Sequence, residues 1–158
     1  MAENRIEIDP YEHIDKFFTR ASLLATMSKD GKPNVMSVLW RSIGELWMYP
    51  VITVAVSPSR YSYELLTKGI REFTLNVPLD KISSAIDICG TYSGRNTDKF
   101  KQANLTIIPG KRVKVPTIKD CVLSYECKII HETDSGNIEP HHLFFGEILA
   151  AYTLKEEI

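Results

Sequence analysis

The sequence has no apolar run near the ~18–20 residues that a membrane-spanning helix needs, and residues 1–5 do not begin like a signal peptide. It also lacks an excess of charge of one sign, because 19 basic and 20 acidic residues give a formal net charge of −1. Binding to nucleic acid or to an anionic membrane through a broad basic surface is therefore not expected. We expect a cytoplasmic protein, with no nucleic acid or membrane partner, in which any anion site is local.

Cysteine is scarce, and Cys89, Cys121 and Cys127 lack the spacing of a zinc site or a redox motif, so no metal is expected. Residues 121–129 alternate with a period of two, which predicts a half-buried strand. Six residues of strand would separate Cys121 from Cys127 by ~20 Å, too far for a disulfide. Both are expected to be small core residues.

Several catalytic motifs are also missing. The sequence has no HExxH helix, no Ser-His-Asp order and no GxxxxGK[ST] loop, which argues against zinc metalloproteases, serine hydrolases and P-loop nucleotidases. It has no internal repeat, and 158 residues suit one substantial core. We therefore predict a single domain over residues 1–158, with residues 1–16 as a leading segment.

Short β-rich runs dominate what is present. The clearest is a hairpin in which residues 23–28 and 34–40 flank an Asp30-Gly31 turn. The predicted strands are residues 23–28, 34–40, 51–56, 73–77, 106–108, 121–131 and 143–152, and the predicted helices lie within 9–18, 61–66, 82–89 and 98–104. Many strands with few, short helices predict a mainly β fold, an antiparallel barrel.

Residues 89–100 are the most informative segment. Gly90 and Gly94 let backbone N–H groups approach a ligand, while the hydroxyls between them and the charges of Arg95 and Lys99 suit a polar anion. A Gly/Ser turn between two helices with solvated charges would give a similar pattern.

Residues 57–62 place three serines and Arg60 where a helix is predicted to begin, which favours a phosphate. An ordinary Ser N-cap beside a solvated Arg is the alternative. Residues 34–40 could offer a backbone edge to a planar heterocycle, or could be a core strand facing inward. His141 and His142 are a poor metal pair, and either could orient a cofactor or be a solvated loop histidine.

Together these three segments, residues 34–40, 57–65 and 89–100, resemble the flavin reductase-like family of FMN-binding split barrels, in particular its flavoredoxin branch. The resemblance extends from about residue 17 to residue 152 and includes Pro109-Gly110 and residues 144–147. It implies a six-stranded antiparallel Greek-key split β-barrel and a homodimer with FMN near the subunit interface. Reductases of this family carry Gly-Asp-His before the last strand. Here the matching residues are Glu139-Pro140-His141, so the resemblance supports FMN binding more firmly than nicotinamide binding.

The resemblance implies that the serines and Arg60 hold the FMN phosphate, that residues 34–40 line the isoalloxazine ring, and that residues 91–99 close over the flavin. His141 is a candidate catalytic contact to nicotinamide or flavin. The candidate cofactor-binding residues are Asn34, Met36, Ser37, Val38, Trp40, Ser57, Ser59, Arg60, Ser62, Cys89, Thr91, Ser93, Gly94, Arg95 and Lys99.

Three functions remain open at this point. The first is an FMN oxidoreductase that passes electrons from NAD(P)H to flavin and on to an acceptor. The second is an FMN electron carrier reduced by a redox protein partner without NAD(P)H activity. The third is a flavin-free structural or ligand-binding barrel.

Overall fold

The structure is a computed structural model that describes residues 4–157, so residues 1–3 of the predicted leading segment lie outside the described residues. The described chain forms ten strands and three α-helices, and 3-10 turns cover Ile14–Lys16, Asp80–Ile82 and Lys155–Glu157. The strands are β1 Arg5–Ile8, β2 Ser22–Met27, β3 Pro33–Val38, β4 Arg41–Leu46, β5 Tyr49–Val56, β6 Glu72–Pro78, β7 Ile107–Ile108, β8 Thr117–Ile118, β9 Cys121–Asp134 and β10 His142–Leu154. The helices are α1 Tyr61–Lys68, α2 Ala85–Thr91 and α3 Lys99–Gln102.

Eight of these strands form one antiparallel sheet in the order β3-β2-β6-β9-β10-β5-β4, with β1 also paired to β10. The two ends of this order, β3 and β4, are joined in the chain by only Leu39 and Trp40, so the sheet curls round into a split barrel. The mainly β, antiparallel architecture predicted from the sequence is confirmed. The sheet has two strands more than the six that the resemblance implies.

The β2–β3 hairpin forms as predicted. Gly31 has φ +89° in its turn, a conformation that glycine adopts without steric cost, and its N–H donates to the Ser28 carbonyl over 2.9 Å. Because β3 pairs only with β2, it is an edge strand. Its backbone edge is therefore not covered by a second strand.

Three sequence expectations need correction. The leading helix is reduced to a 3-10 turn at Ile14–Lys16, preceded by His13 in a left-handed conformation with φ 58°. The short strands β1, β4 and β8 were not predicted. The strand expected to be half-buried, β9, is instead buried on both faces from Cys121 to Cys127. It lies between β6 and β10, and residues 111–113 cover its outer face. Both cysteines are buried in the core, as expected.

Two packed regions position the candidate site. The barrel interior forms the main hydrophobic core, which includes Met36 of β3 and Leu66 of α1. On the other side of β3, Val35 packs with Ala85 and Cys89 of α2 in a second cluster. Alternate β3 side chains therefore face α1 and α2, and both helices lie beside this edge strand.

No helix among residues 4–157 is long and apolar enough to cross a membrane.

Candidate functional site

The segment of residues 57–62 connects β5 to α1. Arg60 occupies the N-cap position, and no side chain caps the helix, so the Ser N-cap alternative is not observed. Ser57 Oγ lies 2.9 Å from Ser59 Oγ. The helix start thus places two paired hydroxyls and a guanidinium beside backbone N–H groups at the positive end of the helix dipole.

Ser62 is part of a buried cross-link between α1 and β3. Its Oγ accepts a hydrogen bond of 3.1 Å from Asn34 Nδ2, and both side chains are buried. This contact fixes the beginning of α1 against the edge strand. The segment of residues 57–62 is therefore held in place by the protein itself.

Lys99 is the least ordinary side chain of the region. It is only 4% exposed, and its Nζ donates to the Cys89 carbonyl over 3.5 Å. Burial lowers the pKa of Lys99 from its usual 10.5 to about 8, an effect that Cys89 opposes and Arg60 reinforces. Among the described residues, no carboxylate forms an ion pair with it. A buried ammonium with one long hydrogen bond to a carbonyl is suited to an anionic ligand.

The structure does not bring the Cys89 side chain to the cavities, because it is fully buried in the second cluster. Burial raises the pKa of Cys89 to about 11, against the lowering effect of Lys99, so it remains a thiol at neutral pH. Its contribution is the backbone carbonyl that accepts from Lys99. The thiol is a packing group.

Two arginines join residues 57–62 to residues 89–100. Arg60 Nη1 donates to the Gly90 carbonyl and Arg95 Nη1 to the Ser59 carbonyl, each over 3.4 Å. The Arg95 guanidinium also lies 5.3 Å from the ring centre of Tyr61 and 3.7 Å from a Glu64 carboxylate oxygen. The two segments that are distant in sequence thus form one cationic surface.

Three adjoining cavities lie along these segments and β3. The central cavity has a volume of about 440 Å³ and is formed by residues 59–62, residues 91–95, Met36 and Lys99. The strand cavity, about 210 Å³, runs along residues 36–40 to Ala55, Ser57, Arg60 and His141. The outer cavity, about 560 Å³, lies on the other side of Gly94 and Arg95 and includes Asn34.

All the sequence-predicted site residues except Cys89 line one of these cavities. Sequence reasoning missed Leu39, Ala55, Tyr61 and Tyr92, which lie beside the predicted motifs or across the strand cavity. Tyr61 could have been found, since it directly follows Arg60. Ala55 could not, because only strand pairing brings it to the strand cavity.

His141 and Trp40 form one end of the strand cavity. Their rings meet edge to face with centres 4.7 Å apart, and His141 Nδ1 is buried with no hydrogen-bond partner in the described structure. His142 is held elsewhere, since its Nδ1 and Nε2 lie 3.0 Å from Asp134 and Glu132 respectively. Of the two adjacent histidines, His141 is therefore the one with an unused nitrogen at a cavity.

The chain is similar to a described protein family and to several relatives and solved structures. The model of the flavin reductase like domain matches residues 14–158. An uncharacterized protein of Archaeoglobus fulgidus is 38% identical over 75% of this chain and 64% of its own length, and one of Pyrococcus abyssi is 35% identical over 78% and 67%. The chain thus spans somewhat under two thirds of the length of the first of these relatives.

Among solved structures, flavoredoxin of Desulfovibrio vulgaris (Miyazaki F) is 31% identical with a TM-score of 0.75, covering 87% of this chain and 71% of its own. An FMN-binding domain of a flavin reductases-like enzyme from Shewanella baltica OS155 superposes over 100% of this chain and 81% of its own with a TM-score of 0.81. At 17% identity, that second match supports the fold alone. The domain match, the relatives and the split barrel together show that this chain belongs to the flavin reductase-like family.

Proposed function

We propose that this protein is an FMN-binding oxidoreductase that moves electrons from a reduced nicotinamide to flavin and on to an acceptor. The observation that carries the proposal is the buried Lys99 ammonium, which faces the central cavity together with Arg60 and Arg95. Three cations on one cavity wall fit a ligand with a phosphate, and charge-assisted hydrogen bonds make such contacts strong.

The residues that fit each part of FMN differ in chemistry. Ser57, Ser59 and Arg60 at the start of α1 fit the phosphate. The edge of β3 and the neighbouring strand cavity fit the planar ring. When bound, FMN supplies the hydride-accepting and electron-donating chemistry, while the protein supplies binding, orientation and exclusion of water.

His141 is the proposed contact to the ring or to the nicotinamide. It lies in the strand cavity, and its buried Nδ1 has an unfilled hydrogen-bonding capacity, which a ligand group could satisfy.

We also propose a homodimer, supported by the exposure of Trp40 and of Trp47 and Met48 at the β4–β5 turn. Light scattering on the purified protein tests this, and a monomer that retains FMN would contradict a flavin site that needs a second subunit.

A specific observation favours a second candidate function, an FMN electron carrier reduced by a redox protein. Glu139 and Pro140 stand where reductases of this family carry Gly-Asp, and two flavoredoxins, from Desulfovibrio vulgaris and Methanosarcina acetivorans, are 31% and 29% identical. The carrier would bind FMN without oxidising NAD(P)H.

The visible spectrum of the purified protein, followed anaerobically while NADH and then NADPH are added, separates the candidates. A yellow protein bleached by one nucleotide supports the reductase, and a yellow protein unchanged by both supports the carrier. A protein that takes up no FMN would overturn both.

Arg60→Ala tests the phosphate assignment directly. We expect FMN affinity to fall by about tenfold or more, because one charge-assisted contact is lost. Arg112→Ala is the matched control, since Arg112 is an exposed arginine that pairs with Glu7 away from the cavities. Unchanged affinity in Arg60→Ala would remove Arg60 from the phosphate site.

A further inference from the structure

His142, the first residue of β10, lies between two carboxylates of β9. Its Nδ1 is 3.0 Å from Asp134 Oδ1, its Nε2 is 3.0 Å from Glu132 Oε1, and the side chain is only 14% exposed. The ring also meets Tyr63 of α1 and Phe144 edge to face, with centres 5.5 Å and 5.0 Å apart. The His142 ring is therefore held on all sides, although it lines none of the three cavities described above.

Glu132, which faces the Nε2 end of the His142 ring, is itself held in place. It also accepts a hydrogen bond from Arg71, whose Nη1 donates to the Leu66 carbonyl in the last turn of α1 over 2.7 Å. Burial alone would raise the pKa of Glu132, but the hydrogen bonds from Arg71 and His142 lower it. Glu132 is therefore an ionised acceptor in a fixed position.

The contact between His142 and Asp134 lies at the base of the loop of residues 135–141, which joins β9 to β10. The two residues are paired across these strands. Just beyond them, the Ser135 N–H donates to the His141 carbonyl over 3.2 Å. The side chain of His142 thus fixes the end of the loop from which His141 projects.

His141 has little of its own to hold its ring. The described structure gives its buried Nδ1 no hydrogen-bond partner, and the ring meets Trp40 edge to face at 4.7 Å. The backbone of the next residue, His142, is paired with Val56, and the residues on either side of Val56 line the strand cavity. The place of the His141 ring in the strand cavity therefore depends on how His142 is held.

We propose that His142 is a positioning residue for the chemistry of the strand cavity: held between Asp134 and Glu132, it fixes where the His141 ring lies. The proposal rests on the proposed flavin function and on the ligand contact assigned there to His141. Because His142 lies outside the cavities, it acts only through His141. The contacts to the phosphate do not involve it.

His142→Phe tests this role, because phenylalanine keeps a ring beside Tyr63 and Phe144 but removes both hydrogen bonds to the carboxylates. The full chain is loaded with FMN, and three quantities are measured: FMN affinity by fluorescence titration, the midpoint potential of the flavin, and the KM and rate of its anaerobic reduction by NAD(P)H. His141→Phe shows which of these His141 controls, the potential for a contact to the flavin ring and the KM or rate for a contact to nicotinamide.

We expect His142→Phe to shift the same quantity as His141→Phe and in the same direction, and to leave FMN affinity unchanged. Where the rate of reduction is the quantity, it should fall by about tenfold or more, since a small displacement of a catalytic group is costly. In the His141→Phe background, His142→Phe should have no further effect, because it acts through the ring already removed. A residue that only stabilises the fold would have the same effect in both backgrounds.

Asp134→Asn is a second variant that removes one of the two carboxylates. The Asp134 side chain is 89% exposed, so the change is mild for folding, and it should shift the same quantity by less. If His142→Phe does not fold, Asp134→Asn alone and in the His141→Phe background gives the same test.

His131→Phe is the matched control, since it makes the same chemical change on β9. His131 contacts Trp47 and Phe145 and lines none of the three cavities. A readout without flavin is the nuclear Overhauser effect between the Trp40 and His141 rings. It should weaken in His142→Phe and persist in His131→Phe.

Three results would overturn the role of His142: no change in the quantity that His141→Phe shifts, the same effect with and without His141, or an unchanged contact between the Trp40 and His141 rings. Each of them leaves the proposed function intact. If His141→Phe itself changes nothing, the assigned contact of His141 is wrong and the proposal fails with it. If FMN does not bind, the proposed function fails, and the ring contact in the flavin-free protein alone decides whether His142 positions His141.

Discussion

Gly94 packs directly against Asn34: a Cβ on Gly94 would lie 1.9 Å from Asn34 Oδ1 and 3.0 Å from Tyr61 Cδ2. Asn34 is not free to move, because its Nδ2 donates to Ser62 Oγ and holds β3 against α1. The loop over the central cavity can therefore approach β3 this closely only where it has no side chain.

Gly94→Ala should weaken FMN binding by about tenfold or more, because the added methyl group either pushes the loop outward or breaks the Asn34–Ser62 hydrogen bond. Fluorescence titration with FMN measures the loss. Gly90→Ala is the matched control, since its Cβ would make only an ordinary 3.5 Å contact with Ser37 Cβ. Equal FMN affinity in the two variants would contradict a role for this close approach.

The pKa of Lys99, lowered by burial to about 8, predicts how FMN affinity depends on pH. An anionic ligand binds the protonated ammonium and raises its pKa in the complex, so affinity is constant between about pH 7 and pH 8, where the ligand phosphate is ionised. Above pH 8 the free protein loses this proton first, and affinity should fall by up to about tenfold per pH unit.

Titrations between pH 7 and 9.5 measure this dependence, since a phosphate with a second pKa of about 6 is largely ionised over that range. Lys99→Met should bind FMN more weakly at pH 7 and show no fall above pH 8. A wild-type affinity that is flat to pH 9.5 would exclude contact between Lys99 and the ligand anion.

Gly146 of β10 lies at a register shift against β9, where the barrel is tightly packed. A Cβ there would lie 2.5 Å from Phe73 Cζ and 2.9 Å from Cys127 Cβ, both in the core. Gly146→Ala should lower the free energy of unfolding by about 1–3 kcal/mol through overpacking.

Urea denaturation measures this change in stability. Gly44→Ala is the control within the same sheet, because nothing lies within 4 Å of a Cβ on Gly44. Comparable stability of the two alanine variants would show that the core around Phe73 yields more easily than the distances indicate.

Glu126 of β9 is fully buried, and its carboxylate accepts backbone hydrogen bonds from Lys111, Arg112 and Val113 at 2.6–3.3 Å. Glu126→Gln replaces one acceptor oxygen by a donor that faces N–H groups, so it should cost about 1–3 kcal/mol of unfolding free energy. The measurement is again urea denaturation.

Glu72→Gln supplies the comparison, because Glu72 accepts a single exposed hydrogen bond of 2.9 Å from Lys114 N–H. We expect that variant to change stability by less than about 0.5 kcal/mol. If Glu126→Gln is no more harmful than Glu72→Gln, the loop of residues 111–113 does not depend on the buried carboxylate.

Much of the fold and of the central cavity was predictable because the signals are local. The Asp30-Gly31 turn fixes one hairpin, and residues 57–62 carry their hydroxyls, arginine and helix start within six positions. These features depend on neighbours in the chain, which the sequence displays directly.

The rest depends on distant contacts. Strand β4 contains Gly44 and charged residues and gains its partner only from β5, so no local pattern marks it. The outer cavity joins Lys32 of a hairpin turn to Ile107 of β7, which are far apart in the chain. The burial of Cys89 likewise follows from the packing of α2 on β3, although residues 91–95 that follow it line the central cavity.

The place of β10 in the sheet affects how the chain can fold during synthesis. Residues 142–154 pair with β5, β9 and β1, and Leu154 lies opposite Arg5. Pairings between such distant residues make folding slow, and unpaired strand edges are prone to aggregate. On the ribosome, the edges of β5 and β9 that face β10 therefore stay open until residues 142–154 have emerged.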